Sequence, residues 1–273
     1  VYDFAALLDG SIDADLARRD FTINAMAVSL DSGALLDPHG GRADLEHRVV
    51  RMVDASNFDD DPLRMLKAVR MAVRFGFAID EATLAAIRAR SERIADVAVE
   101  RVAYELTVIF SANSFRRALT LLHDTALDVP LFERQLDAGQ FAADDVPVAA
   151  ALALLLANPE MFAKRWRLSA ALLRDILTLQ HLRDAHGLLD LYDAGERVAS
   201  QLTPMLRALG RTDDIEFPNF NIQPFLTGDE IASLASIAPG PRVGQLKRAL
   251  LDAQLSGRIA TREDAEAFIT ASA

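Results

Sequence analysis

The sequence predicts a mainly α-helical protein with two or three short strands near its start. Three observations carry that expectation. Apolar residues recur at helical spacing over most of the 273 residues. Ala27-Val28-Ser29-Leu30 and Ala34-Leu35-Leu36-Asp37 flank an Asp31-Ser32-Gly33 turn, the pattern of a hairpin. Cys is absent, which excludes disulfide scaffolds, Cys-ligated zinc, iron–sulfur clusters and thiol nucleophiles. A chain of this length buries a core without such staples.

In chain order, a third strand is expected at Val49–Val53, after a Gly-rich turn between strand and helix at Asp37-Pro38-His39-Gly40-Gly41. Helices are expected over Asp61–Phe75, Glu81–Ala89, Arg101–Phe110, Phe115–His123, Val148–Ala157, Arg167–Leu182, Val198–Leu209, Gly228–Leu234, Val243–Leu255 and Arg262–Ile269. Breaks fall at Asp54–Asp60, Asp128–Asp145 and Gly210–Pro224, where Pro, Gly, Asn and acidic residues collect. Two or three strands at one end of a helical chain leave sheet edges unpaired, so either a partner covers them or the chain begins partway through a domain.

The longest uncharged apolar run, Val146 to Ala157, contains a Pro and falls short of the ~20 residues that cross a bilayer. No basic stretch followed by an apolar block opens the chain, so a secretory leader is not expected and the cytoplasm is the expected compartment. The net charge is −11, from 29 Lys and Arg against 40 Asp and Glu, which argues against a broad nucleic-acid surface. The balance reverses locally: between Arg64 and Arg117 ten basic residues face six acidic ones. A confined anion site fits that distribution.

Two constellations suit such a site. In Arg18-Arg19-Asp20-Phe21-Thr22-Ile23-Asn24-Ala25, paired guanidiniums precede an Asp placed to cap the apolar helical stretch that follows; guanidinium forks take phosphate or sugar oxygens. A surface salt-bridge cluster is the plain alternative. In Asp59-Asp60-Asp61-Pro62-Leu63-Arg64, Asp61 and Pro62 read as N-cap and first helical position. At ~100° per residue, Arg64, Lys67, Arg70 and Arg74 then share one outward arc, opposite Met65, Leu66, Val69, Ala72 and Val73. Such a stripe can hold a triphosphate or an RNA backbone, or simply face water. Two further patterns are set aside. Asp13-Ala14-Asp15 has the spacing of a two-metal pair but lies just before a helix without a Gly-rich turn, and His123-Asp124 has no partner His at supporting spacing.

Taken in order, Arg18-Arg19-Asp20 through Ala25, Asp37-Pro38-x-Gly40-Gly41 with Asp44-Leu45, Asp61-Pro62-Leu63-Arg64 with Arg70, and Glu100-Arg101-Val102 with Glu105-Leu106 resemble the class II tRNA nucleotidyltransferases and the similar bacterial poly(A) polymerases. Leu226-Thr227-Gly228, Pro239-Gly240-Pro241-Arg242-Val243-Gly244 and Ala253-Gln254-Leu255-x-Gly257 through Thr261-Arg262-Glu263 resemble the C-terminal tail of those enzymes. The resemblance implies the remnant of a polymerase-β-like head over 1–53, a nucleotide-recognising neck over 54–125, a helical body over 126–210 and an RNA-binding tail over 211–273. It implies addition of CCA, or part of it, to tRNA 3′ ends from CTP and ATP with Mg²⁺. Arg18, Arg19, Asp20 and Asn24 would contact ribose and phosphates, Asp61 and Arg64 would read the base edge, and Lys67 and Arg70 would hold the triphosphate. Lys67 replaces the family's usual Arg, and Met71 its usual Phe. The family's catalytic Asp-x-Asp pair lies upstream of Arg18 in its pattern; it is expected in a missing N-terminal head segment, with Asp3 on a surviving strand near it. The chain alone is therefore expected to lack catalytic and metal-binding residues. A non-catalytic RNA-binding derivative and a poly(A) polymerase are the competing expectations.

Overall fold

The computed structural model describes residue 7 and residues 10–272; Asp3 lies outside them. The chain opens with helix α1 (Ile12–Ala17), whose N-cap Ser11 accepts a hydrogen bond from Ala14 N. The hairpin expected after it is present: β1 (Ala27–Val28) pairs antiparallel with β2 (Leu35–Leu36), Ala27 opposite Leu36. Helix α2 (Gly41–His47) follows, then β3 (Val49–Val50).

The third strand is shorter than Val49–Val53 and joins neither hairpin strand. It pairs in parallel with β4 (Ala78–Ile79), which arrives after α3 (Asn57–Asp60) and the long α4 (Leu63–Phe75). A two-residue strand between helices leaves no alternation to read, so periodicity missed β4. The pairing supplies a partner for β3 from within the chain, and Phe21 bridges Met52 beside it. The helix expected after Asp20 is absent. Thr22–Asn24 forms one 3-10 turn, and the chain then extends into β1, which draws Ala25 into the core instead of into a helical face.

Helix α4 starts as expected. Asp61 is extended and its Oδ1 accepts from Leu63 N at 3.2 Å, with Pro62 entering the first turn. It ends at Gly76, whose φ of +69° is the left-handed stop that favours glycine. Met65, Leu66, Ala68, Val69, Ala72 and Val73 are buried along it. Helix α5 (Glu81–Arg88) is capped by Asp80, and α6 (Val99–Phe110) and α7 (Phe115–Asp124) pack on α4.

The stretch Asp128–Asp145 is not wholly irregular: α8 (Asp128–Phe132) occupies its start, with buried Asp128 accepting from Val129 N, from Leu136 N and pairing with His123. Helix α9 (Val148–Leu155) is apolar on nearly all sides and sits in the core. The expected helix from Arg167 begins later. Asn158 and Pro159 start α10 (Pro159–Trp166), Arg167 turns the chain at φ +49°, and Ser169 caps α11 (Ala170–Asp184). Then come α12 (Leu188–Ala194), α13 (Glu196–Ala199) and α14 (Leu202–Ala208).

Gly210–Pro224 is irregular, as its composition predicts. Beyond it, α15 (Gly228–Leu234) opens with a capping box in which Thr227 and Glu230 exchange hydrogen bonds, Pro241 starts α16 (Pro241–Leu255), and α17 (Arg262–Ser272) closes the chain. One apolar core runs from Phe21 to Ala208, threaded by aromatic contacts among Phe110, Phe115, Phe132, Phe141, Phe162 and Trp166. Leu226 to Ile269 form a separate core, and Leu182, Leu191, Ala199, Leu202 and Leu206 form a smaller cluster. Among the described residues, no helix is long and apolar enough to cross a membrane.

Candidate nucleotide-binding site

The site is built where the end of α1 meets the start of α4, and its frame comes from residues without direct chemistry. Gly41 is one: a Cβ there would lie 2.1 Å from the carbonyl oxygen of Thr22, so only glycine lets α2 approach the 3-10 turn. Gly40, at φ +72°, turns the chain into that helix, and Asp37 accepts from Gly41 N and Arg42 N at 2.6 and 3.0 Å. Buried Asp44 on α2 then takes the Thr22 hydroxyl at 2.7 Å and the Arg51 guanidinium. The Gly-rich segment therefore fixes the position of Asp20 and Asn24 rather than lining a phosphate.

Asn57 supplies the second brace. Its amide donates to the carbonyls of Ala17 and Arg19, both at 2.9 Å, while its own carbonyl accepts from Arg64 at 2.9 Å. One buried residue thus ties the end of α1, through its side chain, to the front of α4, through its backbone carbonyl. Sequence reasoning missed it, since an Asn inside the polar break Asp54–Asp60 reads only as a turn residue.

Between these braces lies an open cleft of about 410 Å³ lined by Arg19, Asp20, Asn24, Asp61, Arg64 and Lys67. Every lining residue belongs to the set singled out in the sequence. Asp20 Oδ1 accepts from Asn24 Nδ2 at 2.9 Å, and that amide also reaches Met71 Sδ at 3.8 Å. Arg19 is held by Asp15 at 2.9 Å. This contact also accounts for the Asp13-Ala14-Asp15 pattern. It lies inside α1 rather than before it, and carboxylates two residues apart on a helix diverge by ~200°.

Two of the eight candidates stand outside the cleft lining. Arg18 pairs loosely with Asp60 at 3.8 Å, and Arg70 turns away from the expected outward stripe toward buried Glu105 on α6. Arg74 lies over the Phe75 ring. The stripe is thus not one solvent-facing row: α6 packs against its middle, and the cationic residues diverge to either side.

Electrostatics in the acidic run follow the arginines around it. Asp59 is taken by Arg90 and Arg93, Asp60 by Arg18, and Asp61 by Arg101, which reaches both carboxylate oxygens at 3.3 and 2.9 Å. Burial pushes the Asp61 carboxyl up, but the hydrogen bond and charge of Arg101, the Leu63 amide and the Lys67 charge together hold it below the usual carboxylate range. Burial raises Glu105, against the pull of Arg70, Lys67 and Arg101. Arg101 was noted in the sequence only as part of a motif; its contact with Asp61 spans 40 positions and no local pattern announces it. His123 engages Asp128, not Asp124.

The described residues contain no group of three His, Asp or Glu side chains arranged to hold a metal ion. They do not fit a Mg²⁺ site. What the cleft presents is carboxylate, carboxamide, guanidinium and ammonium groups side by side, a donor and acceptor set matched to a base edge and to phosphate oxygens.

Known proteins resemble this chain in sequence and fold. Residues 3–51 match a family model described as "Poly A polymerase head domain", and residues 76–138 one described as "Probable RNA and SrmB- binding site of polymerase A". The CCA-adding enzyme of Pediococcus pentosaceus is 31% identical over 264 residues, covering 86% of this chain and 66% of its own length. The chain belongs to the class II CCA-adding enzyme and poly(A) polymerase family. The CC-adding tRNA nucleotidyltransferase of Halalkalibacterium halodurans is 44% identical over 126 residues, 46% of this chain and 33% of that protein. The chain thus aligns with a third to two thirds of the length of these curated family members. The Bacillus stearothermophilus CCA-adding enzyme, solved in complex with CTP, superimposes with a TM-score of 0.76 at 25% identity, over 96% of this chain and 74% of that one.

Proposed function

We propose that this chain recognises the nucleotide and the RNA in a tRNA nucleotidyltransferase that adds CCA, or part of it, to tRNA 3′ ends from CTP and ATP. The observation that carries the reading is the shared cleft: Arg19, Asp20, Asn24, Asp61, Arg64 and Lys67 come from segments 37 or more positions apart and line one cavity. The CTP complex of the Bacillus stearothermophilus enzyme and the tRNA_CCA complex of the Thermotoga maritima enzyme support it by likeness. Division into a head part over 1–53, a neck over 54–125, a body over 126–210 and a tail over 211–273 goes with this reading, as does a cytoplasmic setting.

Each residue has a chemical task. Asp61 accepts from an exocyclic amine of the base, and Arg64 donates to ring nitrogen or carbonyl oxygen; cytosine offers that pair and uracil does not. Asp20 and Asn24 face the ribose hydroxyls. Arg18, Arg19, Lys67 and Arg70 surround the triphosphate, with Arg18 and Arg70 turning inward from their present partners. Mg²⁺ is expected in the complete enzyme, where it would offset charge on the phosphates. The residues described here bind and orient the nucleotide; transfer belongs to the whole polypeptide.

The test is titration of this chain with CTP and UTP, by calorimetry, before and after Arg64→Ala. Tighter binding of CTP, with the preference lost in the variant by roughly 1–3 kcal/mol, is the expected result. Equal affinity for CTP and UTP in the unaltered chain would remove Asp61 and Arg64 from base reading. Binding of RNA with no nucleotide affinity at all would favour the RNA-binding derivative. A preference for ATP alone would favour poly(A) synthesis.

A further inference from the structure

A second cleft, of about 520 Å³, opens beside α7; it is larger than the nucleotide cleft and shares no residue with it. Its volume lies in the range of small-molecule sites, about 300–1,000 Å³. One wall is the outer face of α7, where Arg116, Thr120 and His123 stand at positions i, i+4 and i+7. The other is the loop from Gln135 to Gly139. His123 is set in place from beneath. Its Nδ1 stands 2.8 Å from Oδ2 of Asp128, a residue only 1% exposed. The backbone N–H groups of Val129 and Leu136 already donate to that carboxyl, each at 2.9 Å. Nδ1 is therefore the donor in its pair with Asp128, and Nε2 is the atom left for the cleft. The two backbone bonds tie α8 to the loop by themselves; the third fixes the orientation of a half-exposed imidazole. Among the described residues, the Arg116 guanidinium meets only the Ala138 carbonyl, 3.5 Å from Nε, which leaves both Nη groups unused. Thr120 Oγ1 donates to the Arg116 carbonyl and keeps its lone pairs, and Asp137 spends only Oδ1, on Gly139 N.

We propose that this cleft is a second ligand site, for a small phosphate monoester that carries hydroxyl groups: a sugar phosphate or a nucleoside monophosphate. Arg116 takes the phosphate oxygens through its Nη fork. His123 Nε2 shares one proton with the same phosphate. A monoester, whose second ionisation lies at ~6, accepts from the protonated imidazole or donates its own P–OH to the neutral one. A phosphodiester has no proton to give and brings the charge of its neighbours with it, past the carboxylate of Asp137 in the same cleft. A free monoester is therefore favoured over an RNA backbone. Asp137 Oδ2, Thr120 Oγ1 and the Gln135 amide are the groups that meet the sugar hydroxyls.

The experiment follows the imidazole signals of the full chain, which has five His, in carbon–proton correlation spectra; His123→Gln identifies the His123 signal by its loss. Titration with ribose 5-phosphate should shift that signal to saturation while those of His39, His47, His181 and His186 stay in place. Inorganic phosphate should bind about tenfold more weakly, for want of hydroxyls, and ribose alone should shift nothing. Arg116→Ala, a change at an exposed position, should weaken ribose 5-phosphate by about tenfold or more. A His123 signal unmoved by millimolar ribose 5-phosphate overturns the proposal, without any binding variant. Equal affinity for inorganic phosphate and the ester overturns it too, since the cleft would then hold any small anion. So does unchanged affinity in Arg116→Ala. A shift produced by a tRNA minihelix but not by free esters would give the cleft to RNA phosphodiesters and likewise overturn it.

Discussion

At the residue scale, Arg101 is the chief partner of Asp61. It approaches both carboxylate oxygens, and its hydrogen bond and charge, with the Leu63 amide and Lys67, hold that carboxyl low against burial. Arg101→Ala should let burial prevail, so that Asp61 takes up a proton at higher pH and stops accepting from a base amine. CTP affinity should then fall by about tenfold near pH 5 and by less near pH 8. Calorimetry at both pH values checks this, and an identical loss at each would mean that Arg101 acts on something other than the charge of Asp61. Asn57 makes a different kind of contribution. Asn57→Ala leaves the carbonyls of Ala17 and Arg19 without that donor and should cost about 1–3 kcal/mol in urea unfolding. Asn57→Asp should be worse than Ala, because it faces two acceptors with a third. The six residues that line the cleft were marked in the sequence by their chemistry and spacing. Asn57 and the Asp61–Arg101 contact were not, because each joins positions about 40 apart and neither leaves a periodic trace.

At the scale of elements, the 3-10 turn and α2 meet through one glycine. Gly41→Ala puts a methyl group into the Thr22 carbonyl and should destabilise by about 1–3 kcal/mol. Because the displaced turn carries Asp20 and Asn24, CTP affinity should drop as well, which a purely global loss of stability would not produce below the melting temperature. The capping box of α15 gives a pH signature. Its backbone hydrogen bond from Thr227, with Arg262, lowers the Glu230 carboxyl from 4.5 to about 2. A carboxyl depressed on folding adds stability that is present above its unfolded value and is lost as pH falls through the folded one. The tail should therefore weaken between about pH 4.5 and pH 2, and Glu230→Gln should flatten that limb of an acid-unfolding curve. The Pro-started helix at Asp61-Pro62 was readable from local sequence, since its start is set by residues within one turn. The strand Ala78–Ile79 was not, because its identity comes from Val49 and Val50 rather than from itself.

For the whole molecule, the cores set the pattern of unfolding. One apolar cluster joins Phe21 to Ala208, whereas Leu226 to Ile269 pack among themselves. Elements with a core of their own open as units. Leu250→Ala, at a site without solvent exposure, should cost about 2–5 kcal/mol and lower amide protection in α15, α16 and α17 while α4, α6 and α9 keep theirs. Uniform loss across the chain would show that the tail and the rest unfold as one unit. The continuity of the larger core was only partly readable: helical periodicity assigned faces to α4, α6 and α7 but said nothing of which face met which, and the Arg70–Glu105 contact shows the result.

The parallel pair β3–β4 joins the chain before α3 to the chain after α4, each strand being the other's partner. A helix stitched at both ends cannot swing like a jaw, so the distance across the nucleotide opening is set once, when the chain folds. On the proposed reading, choice among bases then comes from small rotations of guanidinium and carboxylate tips inside that opening, the way a gauge sorts rods without moving.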